Sequence, residues 1–242
     1  MKGAPVVFRF SLGQLLAGRR LLVTGLLTTF PLVVPALLAA GSGRDPAGFT
    51  LDLFRALVLP VLLPVVALTF STTTLGAEVR DGTVVNLVLK PIPRPGLLAA
   101  KYLAGVLATL VVLLPAVAAA HLLAARGLGS TTLLAGMLAA TTVGTLTYCA
   151  LGVLLSLLFA RALLVGLAYA LLWEGALVSV APSASSMSVR GYAEGVLASI
   201  LTRSGLDFPA RLGPLSATLL ALVVTLLALV LAVRRLERMD FR

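Results

Sequence analysis

Charge is what this 242-residue chain has least of. Asp, Glu, Lys and Arg together make up 12% of it, and hydrophobic residues make up 60%. A soluble domain carries about 25% charged residues. With a mean hydropathy of +1.09, the chain is excluded from the water-exposed globular class. Cysteine is nearly absent. Cys149 stands alone inside an apolar run, so no intrachain disulfide can form, and the residue reads as a small buried hydrophobe. The redox compartment is left open. His121 is also alone, with no second His or Cys nearby, which argues against a zinc site. The chain has no G-x-x-x-x-G-K-[ST] phosphate loop, no H-E-x-x-H and no G-x-S-x-G. It is therefore expected not to be an enzyme, not to hydrolyse nucleotide by itself and to bind no cofactor. There is no internal repeat and no low-complexity tract.

What the chain does have is long apolar runs. A membrane-spanning helix needs roughly 20 mostly apolar residues. Six segments qualify: 21–40, 56–75, 102–125, 131–158, 162–180 and 215–233. The expected fold is an all-α membrane protein, one domain over 1–242. The net charge of +10 suggests nucleic acid at first sight. The basic residues, however, sit at the ends of apolar spans, which is a topology signal. Nucleic acid is excluded as a partner, and the lipid bilayer takes its place. With the N-terminus inside, thirteen Lys and Arg fall in cytoplasmic segments and six in outer ones. Both termini are therefore expected to be cytoplasmic, in a multi-pass protein of the plasma membrane.

Sequence pattern is also informative outside the spans and at the first of them. Phe8, Leu12, Leu15 and Leu16 recur at helical spacing, with Arg9, Arg19 and Arg20 off that stripe or at its end. This reads as a helix in the interface plane, its apolar face in lipid, or as a cytoplasmic lead-in helix. The first span is too long for a signal peptide and contains Pro31 and Pro35, so it is read as retained. The outer connection 181–214 holds a mildly apolar piece at 191–201. It is either a short helix entering the outer leaflet or an ordinary surface loop.

Within the spans, Glu174 is the one acid, next to Trp173. An ionised side chain there costs roughly 2.5–3.5 kcal/mol on insertion scales, so it should face protein or water. A hydrogen bond to a neighbouring helix is favoured over a cavity-lining role. Proline pairs at Pro31/Pro35 and Pro60/Pro64 predict kinks that shape packing. Thr69, Thr72 and Thr73 in the second span and Thr141, Thr142, Thr145 and Thr147 in the fourth either bond to helices or line a polar pathway. The candidate pathway residues are Thr69, Thr72, Thr73, Trp173 and Glu174. Gly144, Gly152 and Ser156 give the fourth span a small-residue face.

The densest polar segment is 78–101. Gly82 weakens a helix there, and Pro91, Pro93 and Pro95 stop one from continuing. Between them, 83–89 suits a short amphipathic element at the membrane surface. The order Glu78, Gly82-Thr83, Pro91-Ile92, Arg94 and Lys101 resembles the signature of ABC-2-type transporter permeases. Lys90 and Pro93 depart from it, standing where small or polar residues are usual. The layout is also similar, with a very short connection at Phe159, Ala160 and Arg161 and a longer outer one before the last span.

The resemblance implies the membrane subunit of an ABC exporter. It implies six transmembrane helices, an interfacial N-terminal helix and a short cytoplasmic coupling helix between helices 2 and 3. Separate ATPase subunits, carrying ATP and Mg, would dock there. A second permease copy would complete the pathway as a homodimer or heterodimer. The contacts it implies are Glu78, Arg80, Gly82, Thr83, Val84, Leu87, Val88, Pro91 and Arg94. The alternative is a six-span membrane enzyme or assembly factor using Glu174 and the outer loop 181–214. An ion-coupled carrier would show two related three-span halves, which this chain lacks.

Overall fold

A computed structural model describes residues 4–16, 19–41, 45–80, 94–125, 130–177, 186–202 and 210–238. Among the described residues there is no strand. The helices are α1 (Ala4–Leu16), α2 (Arg19–Ala40), α3 (Pro46–Leu53), α4 (Leu63–Arg80), α5 (Arg94–Ala124), α6 (Thr131–Leu158), α7 (Ala162–Ala168), α8 (Val189–Thr202) and α9 (Pro214–Glu237). Two wider π-helical segments continue the chain without a break. Phe54–Leu62 joins α3 to α4, and Tyr169–Leu177 follows α7.

Four helices are long and apolar enough to cross a membrane: Pro46–Thr74, Pro95–Ala124, Thr131–Leu158 and Pro214–Glu237. Val23–Ala39 and Ala162–Gly175 are shorter apolar helices. All six expected spans therefore fall on apolar helix, but only four reach spanning length among the described residues.

Two boundaries move. The second span begins near residue 46, ten residues before its expected start. Asp45 caps it, accepting from the Ala47 and Gly48 backbone N–H groups at 3.2 and 2.8 Å, and Pro46 occupies the first turn, where its missing N–H costs nothing. The third span begins at Arg94 rather than 102. Pro95 was expected to stop a helix and instead opens one, for the same reason as Pro46.

Pro60 is accommodated by the first π segment, where the Leu63 N–H reaches back five residues to the Val58 carbonyl. The i→i+5 pattern absorbs a residue that cannot donate, as π-bulges do. α2 runs through both Pro31 and Pro35.

α6 is the centre of the molecule. α4, α5, α7, α8 and α9 all pack on it. Small residues let them approach. A Cβ on Gly144 would meet Leu63, and one on Gly152 would meet Ser71. On α9 the buried stripe is Ala217, Ala221, Ala228, Ala232 and Leu236, which seats it on α6. Elsewhere α9 is apolar and open, with Leu222, Leu226 and Leu227 each more than half exposed. Such a face belongs in lipid.

α1 turns part of its apolar stripe toward protein. It packs on α5, with Leu15 buried and Phe8 and Leu12 against the core. That part of the stripe is a protein contact, while Arg9 and Phe10 stay exposed.

Candidate functional site

The connection 181–214 contains a helix, and its first turn rests on Glu174. α8 buries ten of its residues, among them Tyr192, Glu194, Gly195 and Leu197. It lies between α6 and α9. Gly136 of α6 makes room for Leu197, and Gly195 lies against Ala217 of α9. The surface-loop reading of 191–201 is thereby replaced by a packed helix.

A helix start leaves backbone N–H groups without intrahelical partners. Here each is accounted for. Glu174 Oε1 accepts from the Val189 N–H at 2.8 Å, and Oε2 accepts from the Arg190 N–H at 3.3 Å. Ser188 Oγ accepts from the Gly191 N–H at 3.1 Å, and the Ser188 carbonyl accepts from the Tyr192 N–H at 3.2 Å. Glu174 therefore caps a helix that starts 15 residues further along the chain. The Tyr148 hydroxyl of α6 donates to the same Oε2 at 2.5 Å. The carboxylate is 3% exposed, and the positive end of the α8 dipole compensates its charge.

Aromatic hydroxyls tie down the lead-in to α8. Tyr169 donates to the Met187 carbonyl at 2.8 Å, and Tyr192 donates to the Ser186 carbonyl at 2.7 Å. Arg190 Nε pairs with Glu194 Oε1 at 2.9 Å, one turn on. Three of the chain's four tyrosines gather here. Reasoning from spacing missed all three, since they come from three separate elements. Their scarcity in the sequence was the available signal.

Beside this cluster lies a largely apolar cleft of about 840 Å³. Tyr148, Leu151, Tyr169, Trp173, Tyr192 and Val224 are among its walls. Trp173 is half-buried, and its Nε1–H has no hydrogen-bond partner among the described residues.

The other candidate pathway residues behave differently. Thr72 is buried and donates to the Leu68 carbonyl at 2.7 Å. Thr73 donates to the Thr69 and Phe70 carbonyls, both at 2.9 Å. Ser71 and Thr74 do likewise within α4. Thr141, Thr142 and Thr147 bond back to α6, and Thr147 also meets Thr225 of α9 at 3.2 Å. Thr69 is half-buried, and Thr145 is buried with no partner among the described residues.

Of the coupling candidates, Glu78 and Arg80 lie on the last turn of α4, and Arg94 begins α5. Gly82, Thr83, Val84, Leu87, Val88 and Pro91 lie outside the described residues. Cys149 is buried, with Thr109 Oγ1 and the Ala67 carbonyl each 3.8 Å from its sulfur. Among the described residues, no group of His, Cys, Asp and Glu could hold a metal ion.

Apolar helices on a glycine-faced centre, with a capped helix in the connection before the last of them, describe a multi-pass membrane protein. No curated protein matches the chain. A family model described as "ABC-2 family transporter protein" matches residues 19–184, more than two thirds of the sequence. The match takes in the first five apolar helices, the polar segment between α4 and α5, and Glu174. The chain belongs to the ABC-2 family of transporter proteins and is a membrane permease.

Proposed function

We propose that this permease is the membrane subunit of an ATP-driven exporter. Six spans place both termini in the cytoplasm of a plasma-membrane protein. Two copies, or one copy and a similar partner, enclose the pathway. Separate ATPase subunits bind below and supply ATP and Mg. The observation that carries this reading is the family match across 19–184 in a chain that contains no nucleotide-binding motif. Such a chain needs its hydrolysis from a partner.

The docking element is assigned to 78–94, with Glu78, Arg80 and Arg94 as polar contacts and Val84, Leu87 and Val88 seating a short helix. The π segment and Pro60 in the helix leading to it give that helix a place to flex when the ATPase pushes. Co-purification with candidate ABC ATPase subunits from the same genome tests the assignment. Glu78→Ala and Gly82→Pro should each weaken complex formation or substrate-stimulated ATP turnover. If both properties are unchanged in both variants, the coupling assignment is wrong.

The enzyme or assembly-factor reading relied on Glu174 and the outer loop. That carboxylate is occupied in holding α8 and meeting Tyr148, which accounts for it without chemistry.

A further inference from the structure

α5 and α9 come together with the α5 start beside the α9 end, and they part there around a cleft of about 410 Å³. Ala99 and Tyr102 of α5 face Leu229 and Val233 of α9 across it, and Arg234 and Glu237 stand at its mouth. From Pro95 to Tyr102 the wall is about 10 Å deep at 1.5 Å per residue. α9 packs on α6 and α8 as well as on α5, with its alanine stripe buried. The Tyr102 hydroxyl donates to the Leu146 carbonyl of α6 at 3.2 Å, which fixes the ring that forms the inner wall.

We propose that this cleft binds one anionic glycerophospholipid of the adjacent leaflet, with an acyl chain between α5 and α9 and its phosphate on Arg234. The walls are apolar and open sideways on helix faces that belong in lipid. A soluble anion would gain nothing from them. The mouth carries exposed Arg234, with exposed Arg235 on the last turn of α9 and exposed Arg238 just after it, against one acid among the described residues there, Glu237. That net positive charge sits where headgroups lie, and basic pockets between membrane helices suit anionic headgroups. Lys and Arg side chains there keep their cations at the interface while their stems cover apolar surface.

Native mass spectrometry of the purified full chain, with added dioleoyl phosphatidylglycerol or dioleoyl phosphatidylcholine, tests this. Wild type should retain one phosphatidylglycerol more strongly than phosphatidylcholine. Arg234→Ala should weaken phosphatidylglycerol retention about fivefold, the loss expected of one cation near a charged membrane surface, and weaken phosphatidylcholine, whose phosphate is offset by its choline cation, by less. Ala99→Trp, which fills the cleft from an exposed position, should reduce retention of both lipids. Glycerol phosphate alone should not bind. Equal phosphatidylglycerol retention by wild type and Arg234→Ala overturns the proposal. So does binding of glycerol phosphate, which makes the site one for a soluble anion. A shift in oligomeric state by Ala99→Trp with lipid retention intact gives the cleft to a second copy. Unchanged lipid and unchanged oligomer give it to another segment of this chain. Either result also overturns the assignment. Arg234 is exposed, so its variant decides the question even if Ala99→Trp does not fold.

Discussion

Two polar regions of this apolar molecule use their hydrogen bonds in opposite ways. In α4, the hydroxyls of Ser71, Thr72, Thr73 and Thr74 bond to carbonyls three or four residues back. They satisfy themselves and join nothing. The bonds of the Glu174 carboxylate to Val189, Arg190 and Tyr148, by contrast, cross between elements, from the second π segment to α8 and from α6 to the second π segment, and Tyr169 ties the same π segment to the lead-in of α8. A short hydroxyl side chain reaches its own preceding turn. A carboxylate cannot donate, so it must find donors elsewhere. In lipid, free donors are found at a helix start. The same scarcity of water therefore makes one cluster local and the other a tertiary joint.

The sharpest test is Glu174→Ala. It leaves the Val189 and Arg190 N–H groups and the Tyr148 hydroxyl without their shared acceptor. Equilibrium unfolding in mixed micelles should show a loss of about 3 kcal/mol, and cysteines placed on α8 should become more accessible to labelling. Next in size is Gly195→Ala. Its new Cβ would sit 2.4 Å from the Ala217 Cβ, which no rotamer change can relieve, so α8 must shift at a cost of about 2 kcal/mol. Gly136→Ala is the internal control. Its Cβ would crowd the Leu197 Cδ1 at 2.9 Å, the end of a flexible side chain, and meet Ile200 at an ordinary 3.7 Å, so a loss equal to that of Gly195→Ala would refute this account of α8 packing. Tyr148→Phe removes one donor to a carboxylate and should cost about 1.5 kcal/mol by the same unfolding measurement. Thr72→Val removes a self-satisfied hydroxyl and should stay within about 0.6 kcal/mol of wild type, the average for side-chain hydrogen bonds between membrane helices. A Thr72→Val effect as large as that of Tyr148→Phe would erase the distinction between the two regions.

These regions also mark where the sequence was readable. Apolar run length located six helical segments, because length and hydropathy act along the chain. The starts at Asp45-Pro46 and Arg94-Pro95 were written in cap chemistry that hydropathy overlooks. The inward turn of the Phe8, Leu12 and Leu15 stripe was hidden for a different reason. An amphipathic period shows that a face is apolar, and lipid and protein satisfy it equally well.

Composition and run length alone were enough to make this a helical membrane protein, because both are properties of the chain. The sequence by itself also determined that Glu174 needed partners, since a charge in lipid must be met. Only the tertiary structure decided who those partners are. Val189 and Arg190 lie 15 and 16 residues away and Tyr148 lies 26 away, and no local spacing brings such donors to one carboxylate. The packing of α6, α8 and the second π segment does.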